Sequence, residues 1–101
     1  MAEYLIETYV ARTDTDAVGR GGILARIAAE ELVREGTAVY YLRSIFVPED
    51  ETCFYVYEAD SVDAVRAAAE RASLPAARVL EAETVPSGSR AGCTRDRGVG
   101  G

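Results

Sequence analysis

The feature that most constrains the fold is the order in which two kinds of hydrophobic periodicity follow one another along the chain. The strand-like segments, rich in β-branched and aromatic residues, are residues 3–11, 37–47, 52–59 and 78–85. Helical spacing of apolar residues occupies residues 23–35, which Gly36 ends, and residues 62–72, which follow the capping pair Asp60-Ser61. The sequence therefore predicts the element order βαββαβ, with a short turn between the two central strands.

This order predicts a ferredoxin-like α+β sandwich, in which one antiparallel four-stranded sheet carries two helices on one face. Two helices cover only one face of such a sheet. The other face must then be exposed or be buried by a second subunit. We expect a homodimer, because an exposed aromatic patch of the kind expected there typically marks an interface.

The end of the chain differs in composition from the rest. Residues 86–101 are rich in glycine, contain Arg90, Arg95 and Arg97, and have Val99 as their only large aliphatic residue. A segment of this composition buries too little apolar surface to order itself. We therefore predict a folded domain of residues 1–86 and a flexible Gly/Arg-rich tail of residues 87–101.

The charge balance excludes two classes of partner. The net charge is −6, from 11 basic and 17 acidic residues. Nucleic acids and anionic membrane surfaces both select basic patches, so we expect neither as a main partner. No stretch approaches the length of a membrane span, and no apolar signal core opens the sequence. We therefore expect a cytoplasmic protein.

The residue types that are missing restrict the chemistry. The chain has no histidine and no lysine, so the commonest metal ligand, the usual neutral-pH base and the Schiff-base amine are all absent. Cys53 and Cys93 are forty residues apart, which matches no metal or redox spacing. Cys53 lies in a strand-like run and is expected to be a small buried residue. We expect no metal site and no cofactor.

Strand alternation suggests a candidate site on the open face of the sheet, meaning the face turned away from the helices. If Ile6 and Val10 face the helices, their neighbours in the first strand point outwards. The residues expected on the open face are Leu5, Glu7, Tyr9, Tyr41, Arg43, Cys53, Tyr55, Tyr57, Glu81 and Glu83.

Two interpretations of this face remain open. In the first, the face is a pocket in which Glu7 is a catalytic base and Arg43 binds an anionic or carbonyl oxygen. The aromatic walls of that pocket would be the ligand-binding residues Tyr9, Tyr41, Tyr55 and Tyr57. In the second, the face is an ordinary dimer interface, in which tyrosine and arginine are enriched residue types and Glu7 pairs with Arg43.

A glycine-rich segment, Gly19-Arg20-Gly21-Gly22, precedes the predicted first helix. Its backbone N–H groups at a helix N-terminus, together with Arg20, could bind an anion. The pattern lacks both the Walker lysine and the dinucleotide-binding spacing, which favours a mobile loop instead.

Part of the sequence resembles a family of small bacterial ferredoxin-like proteins that includes a dimeric nickel-binding member. The residues that carry the resemblance are Glu7, Ser44, Phe54, Tyr55, Val56, Tyr57, Glu58, Ala59, Val65, Arg66, Leu74, Pro75, Ala76, Arg78 and Val79. The resemblance implies the fold and the dimer. Members often carry histidine where this chain has Ala67, Ala68, Ala69, Leu74 and Arg43, so the resemblance does not carry over the nickel site.

We therefore expect a small-molecule-binding protein or a cofactor-free enzyme of the cyclase, isomerase or hydrolase type, acting in bacterial specialised metabolism. Its partners would be a second copy of itself and a small organic molecule. One alternative is a nickel-binding protein, as the resemblance implies. Another is a structural or regulatory dimer without a ligand.

Overall fold

The computed structural model describes residues 1–74, 76–83 and 85, and its elements follow the predicted order. They are β1 (Ala2–Tyr9), α1 (Thr15–Arg34), β2 (Val39–Val47), a 3-10 turn (Pro48–Asp50), β3 (Thr52–Ala59), α2 (Val62–Arg71) and β4 (Ala76–Ala82). The predicted tail and the domain boundary at residue 86 lie outside the described residues. Within the described residues, no helix has the length and apolar character needed to cross a membrane.

The four strands form one antiparallel sheet in the order β2-β3-β1-β4, with β3 and β1 at its centre. Both helices pack on the same face, α1 mainly over β2 and α2 mainly over β4 and β3. The observed architecture confirms the predicted ferredoxin-like α+β sandwich.

Helix α1 begins at Thr15, well before the start near residue 23 that the periodicity indicates. Asp14 caps it, since its side chain accepts a hydrogen bond from the Ala17 N–H at 3.3 Å. Residues 19–22 therefore lie inside a helix, and both the mobile loop and the helix-terminal anion site predicted for them are wrong. Glycine in a helix costs about 1 kcal/mol relative to alanine, and at Gly21 and Gly22 the sheet approaches so closely that a larger residue would crowd it.

The core lies between the helices and the sheet, and the two layers contribute side chains of different size. The helices supply small buried residues, namely Gly21, Ala25, Ala28, Ala29, Ala64, Ala68 and Ala69. The sheet supplies larger ones, namely Tyr4, Ile6, Val39, Tyr55 and Tyr57. Protein interiors pack to nearly constant density, so small residues in one layer require large residues in the other.

The orientation of β3 is opposite to the prediction. Cys53, Tyr55 and Tyr57 are buried against the helices, and Phe54 and Val56 lie on the open face. Directly paired residues on neighbouring strands point to the same side of a sheet. The pairing of Ile6 with Tyr55 and of Thr8 with Cys53 therefore fixes this orientation. The prediction failed because Phe54 and Val56 look equally suited to a core.

Strand β2 changes sides part of the way along its length. Tyr41 packs edge-on against Tyr57 on the helix side, with ring centroids 5.9 Å apart, so its predicted place on the open face is wrong. A β-bulge follows between Tyr41 and Arg43 and inserts one extra residue. The bulge turns Arg43 to the open face opposite Val56, as predicted.

The outer strand β4 also differs from the prediction. Arg78 and Leu80 lie on the open face, paired with Glu7 and Leu5. Glu81 pairs with Tyr4 and so belongs to the helix side, and Glu83 lies beyond the end of the strand. The open face therefore gains a cation from β4 where the sequence had suggested two carboxylates.

Candidate functional site

The open face is a mixed surface on which Glu7 has a partner. The Nε of Arg78 donates a hydrogen bond to Oε1 of Glu7 at 2.8 Å. The predicted pairing of Glu7 with Arg43 is not formed within the chain, because β3 lies between the strands that carry them. Of the two residues assigned a catalytic role, both are on the open face, but they are not brought together.

The four tyrosines predicted to bind a ligand do not form one wall. Tyr9 ends β1 and is exposed, whereas Tyr55 and Tyr57 are buried on the helix side and Tyr41 is half-buried there. Tyr57 does not line any of the clefts described below, and its hydroxyl has no hydrogen-bond partner among the described residues. Tyr9 and Tyr55, however, both line one cleft.

This cleft lies between the first half of α1, the end of β1 and the residues that follow α2. Its volume of about 470 Å³ falls within the range of small-molecule sites. Its apolar lining consists of Val10, Ala11, Ala17, Gly21, Leu24, Ala72 and Leu74. Its polar lining consists of Thr8, Tyr9, Asp14, Arg20, Tyr55 and Ser73.

The floor of the cleft is formed where α1 touches the sheet. A Cβ atom added at Gly21 would overlap the hydroxyl of Tyr55, so only glycine lets the phenol reach the helix. The hydroxyl of Tyr55 is protonated at neutral pH, and burial raises its pKa further. The cleft thus has a neutral hydrogen-bond donor beside its apolar wall.

The mouth of the cleft carries one charge of each sign. Nη2 of Arg20 lies 4.0 Å from Oδ1 of Asp14, and both side chains are largely exposed. Oδ1 of Asp14 is also the acceptor of the N-cap hydrogen bond of α1. On the opposite side, Ser73 adopts a positive φ of 58° and Leu74 donates its N–H to the carbonyl of Ala69. This turn at the end of α2 places Leu74 in the lining.

Two smaller recesses follow the seam between α1 and β2, with volumes of about 370 and 290 Å³. Arg26 and Tyr41 line both of them. In the smaller recess the hydroxyls of Tyr41 and Ser44 form a hydrogen bond of 2.6 Å, and a Cβ at Gly22 would come within 3.0 Å of the Tyr41 hydroxyl. The sequence pattern did not predict either recess. Glycines inside a helical pattern are the signal that could have revealed the smaller one, which Gly19 and Gly22 line.

The donor set of residues 1–74, 76–83 and 85 does not fit a nickel ion. In the part of the chain that the structure describes, no three His, Cys, Asp or Glu side chains are grouped to hold a metal. The sequence has no histidine. Cys53 is fully buried in the core, where burial raises the pKa of its thiol and so disfavours the thiolate that binds metals. Nickel favours imidazole and thiolate ligands over carboxylates.

The positions at which the resembled family often carries histidine are also separated here. Ala68 and Ala69 are buried residues of α2, which packs on the helix side of the sheet, whereas Arg43 lies on the open face. Side chains at these positions would point to opposite sides of the sheet and would not meet within one chain.

The strand order, the pairing register and the two helices on one face define a ferredoxin-like α+β protein. A family model described as "Nickel responsive protein SCO4226-like" matches residues 6–82. The chain therefore belongs to the SCO4226-like family, and the resemblance found in the sequence is confirmed.

One solved structure is also similar to this chain. It is described as the crystal structure of SCO4226 from Streptomyces coelicolor A3(2), with a TM-score of 0.66 and 17% sequence identity. The match covers 84% of this chain and 100% of that chain. At this identity the likeness shows a shared fold. No curated protein matches the sequence.

Proposed function

We propose that this protein binds a small organic molecule in the cleft between α1, the end of β1 and the turn after α2. The observation that carries the proposal is the contact of Gly21 with the Tyr55 hydroxyl, which exposes a buried phenol to a cleft of about 470 Å³. Apolar walls with a few placed polar groups are typical of small-molecule sites. The cleft replaces the open face as the candidate pocket.

The lining groups favour binding over catalysis. Tyr55 is neutral at pH 7, as an ordinary tyrosine is, and burial raises its pKa further. Thr8 already donates to the carbonyl of Cys53 at 3.1 Å, and Asp14 is engaged as the cap of α1. Glu7, the base considered for an enzyme, lies on the open face beside Arg78. These contacts support a binding role. The proposed setting of that role, the cytoplasm and specialised metabolism, comes from the sequence alone.

A matched pair of variants tests the cleft. Leu24 and Ile27 are both exposed aliphatic residues of α1, at 49% and 45%, but only Leu24 lines the cleft. The uncharged fluorophore N-phenyl-1-naphthylamine serves as the probe. We expect Leu24→Ala to weaken its binding several-fold and Ile27→Ala to leave it unchanged. Equal effects of the two variants, or no binding of the probe to the unmodified protein, would contradict the proposal.

A second candidate function is the nickel response that gives the family its description. Membership of the family favours it, whereas the donor set described above opposes it. Calorimetric titration with nickel, after removal of any affinity tag, separates the two. We expect no binding tighter than about 1 μM, which corresponds to roughly −8 kcal/mol. A tighter site would favour the metal-binding function.

We also propose that the open face pairs with a second copy of the chain. Tyr40 and Ile45 leave apolar surface exposed on this face, and Glu3 lies directly opposite Glu58 on neighbouring strands. Like charges in this position repel. Arg43 of a second copy would relieve that repulsion, since a two-fold interface must be complementary to itself.

Light scattering with charge-reversal variants tests this assembly. We expect a dimer at tens of micromolar protein, dissociation of that dimer by Arg43→Glu, and its recovery in the double variant Arg43→Glu with Glu58→Arg. Arg26→Glu, on the exposed side of α1, is the control and should leave the dimer intact. A monomeric unmodified protein would overturn the assembly but not the cleft.

A further inference from the structure

We propose that the ligand of the cleft is an amphipathic monoanion, whose single negative charge is bound by Arg20 and whose apolar body lies along Leu24. This inference rests on the proposed function, because it names the class of ligand for the same cleft. Four observations support it: the unused donors of Arg20, its position relative to Leu24, the neutral phenol of Tyr55 and the carboxylate of Asp14.

Arg20 is the only cation among the described residues that line the cleft. Within the described part of the chain, its closest carboxylate is that of Asp14, at 4.0 Å, which is longer than a hydrogen bond. With respect to these residues, the guanidinium keeps its N–H donors for another acceptor. Arginine offers these donors in a planar fork that matches carboxylate and sulfonate oxygens.

The position of Arg20 on α1 couples its charge to apolar surface. Leu24 follows Arg20 by one helical turn, so both side chains lie on the same face of the helix. Gly21, next to Arg20, is the point at which α1 touches Tyr55. An anionic group held by Arg20 would thus leave the remainder of the molecule against Leu24 and the inner wall, with Leu74 on the opposite side.

The two remaining polar groups narrow the class further. The protonated hydroxyl of Tyr55 can donate to a carbonyl or hydroxyl oxygen carried by the apolar body. Asp14 places a negative charge at the same mouth, and its capping hydrogen bond to Ala17 holds it there. Asp14 would repel a second negative charge on the ligand. The cleft therefore favours a monoanion over a dianion.

Two fluorophores that share an aromatic body and differ in charge test the proposal. They are 8-anilinonaphthalene-1-sulfonate, which carries one sulfonate, and the uncharged N-phenyl-1-naphthylamine. We expect the sulfonate to bind about tenfold more tightly, as a charge-assisted hydrogen bond of about 1.5 kcal/mol predicts. Arg20→Gln should remove this preference by weakening binding of the sulfonate much more than that of the uncharged probe.

Asp14→Asn should change the preference for the sulfonate in the opposite direction from Arg20→Gln. Asparagine caps helices as well as aspartate does, so the fold should be kept while the competing charge is removed. We expect the preference for the sulfonate to increase several-fold, and the increase to shrink at high salt.

The outcomes distinguish this inference from the proposed function. If neither probe binds, or if Leu24→Ala and Ile27→Ala act alike, the cleft itself is not a binding site. If both probes bind equally well, or if Arg20→Gln weakens both to the same extent, the cleft binds small molecules but the anion preference is wrong. A sulfonate preference that Arg20→Gln abolishes and Asp14→Asn enhances supports the inference.

Discussion

The two faces of the sheet are built from the same strands but differ in the kind of contact that their side chains make. On the helix side, tyrosines of the sheet fill the space left by glycine and alanine on the helices. On the open face, rows of residues run across the strands, such as Ile45, Phe54, Glu7 and Arg78. These rows mix apolar and charged groups and have no helix above them. One face therefore depends on close packing, and the other keeps groups that a partner can contact.

The candidate binding cleft also lies on the helix side of the sheet. Alternation in β3, with Phe54 and Val56 assigned to the core, predicted Tyr55 and Tyr57 on the open face. In the structure they are core residues, and one of them, Tyr55, reaches the cleft because α1 has no side chain at Gly21. Packing and binding are thus linked on this side. The following predictions test the difference between the faces.

The largest expected effect is on core truncation. Ile6 is completely buried and Ile45 is 42% exposed, so the same change to alanine probes each face. We expect Ile6→Ala to lower the free energy of unfolding by about 2–5 kcal/mol and Ile45→Ala by less than about 1 kcal/mol. Urea denaturation measures both. If the Ile45→Ala effect grows with protein concentration, the open face is buried in a dimer.

Alkaline pH should act on the helix side. Burial raises the pKa values of Tyr55 and Tyr57, so the folded state holds their protons when the unfolded state has lost them. Stability is then fully present below the unfolded tyrosine pKa of about 10 and falls as the pH rises above it. We expect a slope of about 1.4 kcal/mol per pH unit for each tyrosine.

Denaturation curves from pH 9 to about pH 11 measure this slope. Tyr57→Phe should reduce it by the contribution of one group, and Tyr9→Phe, which removes an exposed phenol, is the matched control. A slope that Tyr57→Phe leaves unchanged would show that the phenol of Tyr57 is accessible to water.

Two of the three helix glycines, Gly19 and Gly21, are expected to give effects of intermediate size and opposite sign. Nothing lies within 4 Å of a Cβ added at Gly19, whereas one at Gly21 meets Tyr55. We expect Gly19→Ala to stabilise the protein by about 0.5–1 kcal/mol and Gly21→Ala to destabilise it by about 1–3 kcal/mol. Tyr55→Phe should partly restore the Gly21→Ala variant. Thermal denaturation compares the unmodified protein, the two alanine variants and the double variant. A melting temperature raised by both Gly19→Ala and Gly21→Ala would refute the contact.

The smallest expected effect concerns two buried hydroxyls. That of Tyr57 has no partner among the described residues, whereas Thr8 donates to the carbonyl of Cys53. We expect Tyr57→Phe to leave the free energy of unfolding unchanged or to raise it by about 1 kcal/mol, and Thr8→Val to lower it by about 1 kcal/mol. A destabilising Tyr57→Phe would indicate that a water molecule satisfies the phenol.

The sequence predicts the fold well because element order depends on local patterns. Capping at Ser61 and the stop at Gly36 were recognisable from single residues and are observed. The start of α1 was missed because three glycines suppress the helical pattern between Thr15 and Ile23. Two of them, Gly21 and Gly22, lie in close contact with side chains of the sheet, and no local pattern contains such a contact.

The candidate site was less predictable, for a related reason. The side of the sheet on which Tyr55 lies depends on its pairing with Ile6, and alternation within one strand allows either side. The pattern predicted Glu7 and Arg43 on the open face correctly. It did not predict Arg78 as the partner of Glu7, because that pairing joins residues 71 positions apart.

The bulge in β2 has a consequence for how copies of the chain can aggregate. An edge strand with regular hydrogen bonding is a template on which further strands can add without limit. The extra residue between Tyr41 and Arg43 breaks the spacing of the outward N–H and C=O groups at the middle of this edge. A second molecule that paired with this edge would lose register at that point, so the bulge opposes growth into fibres along β2.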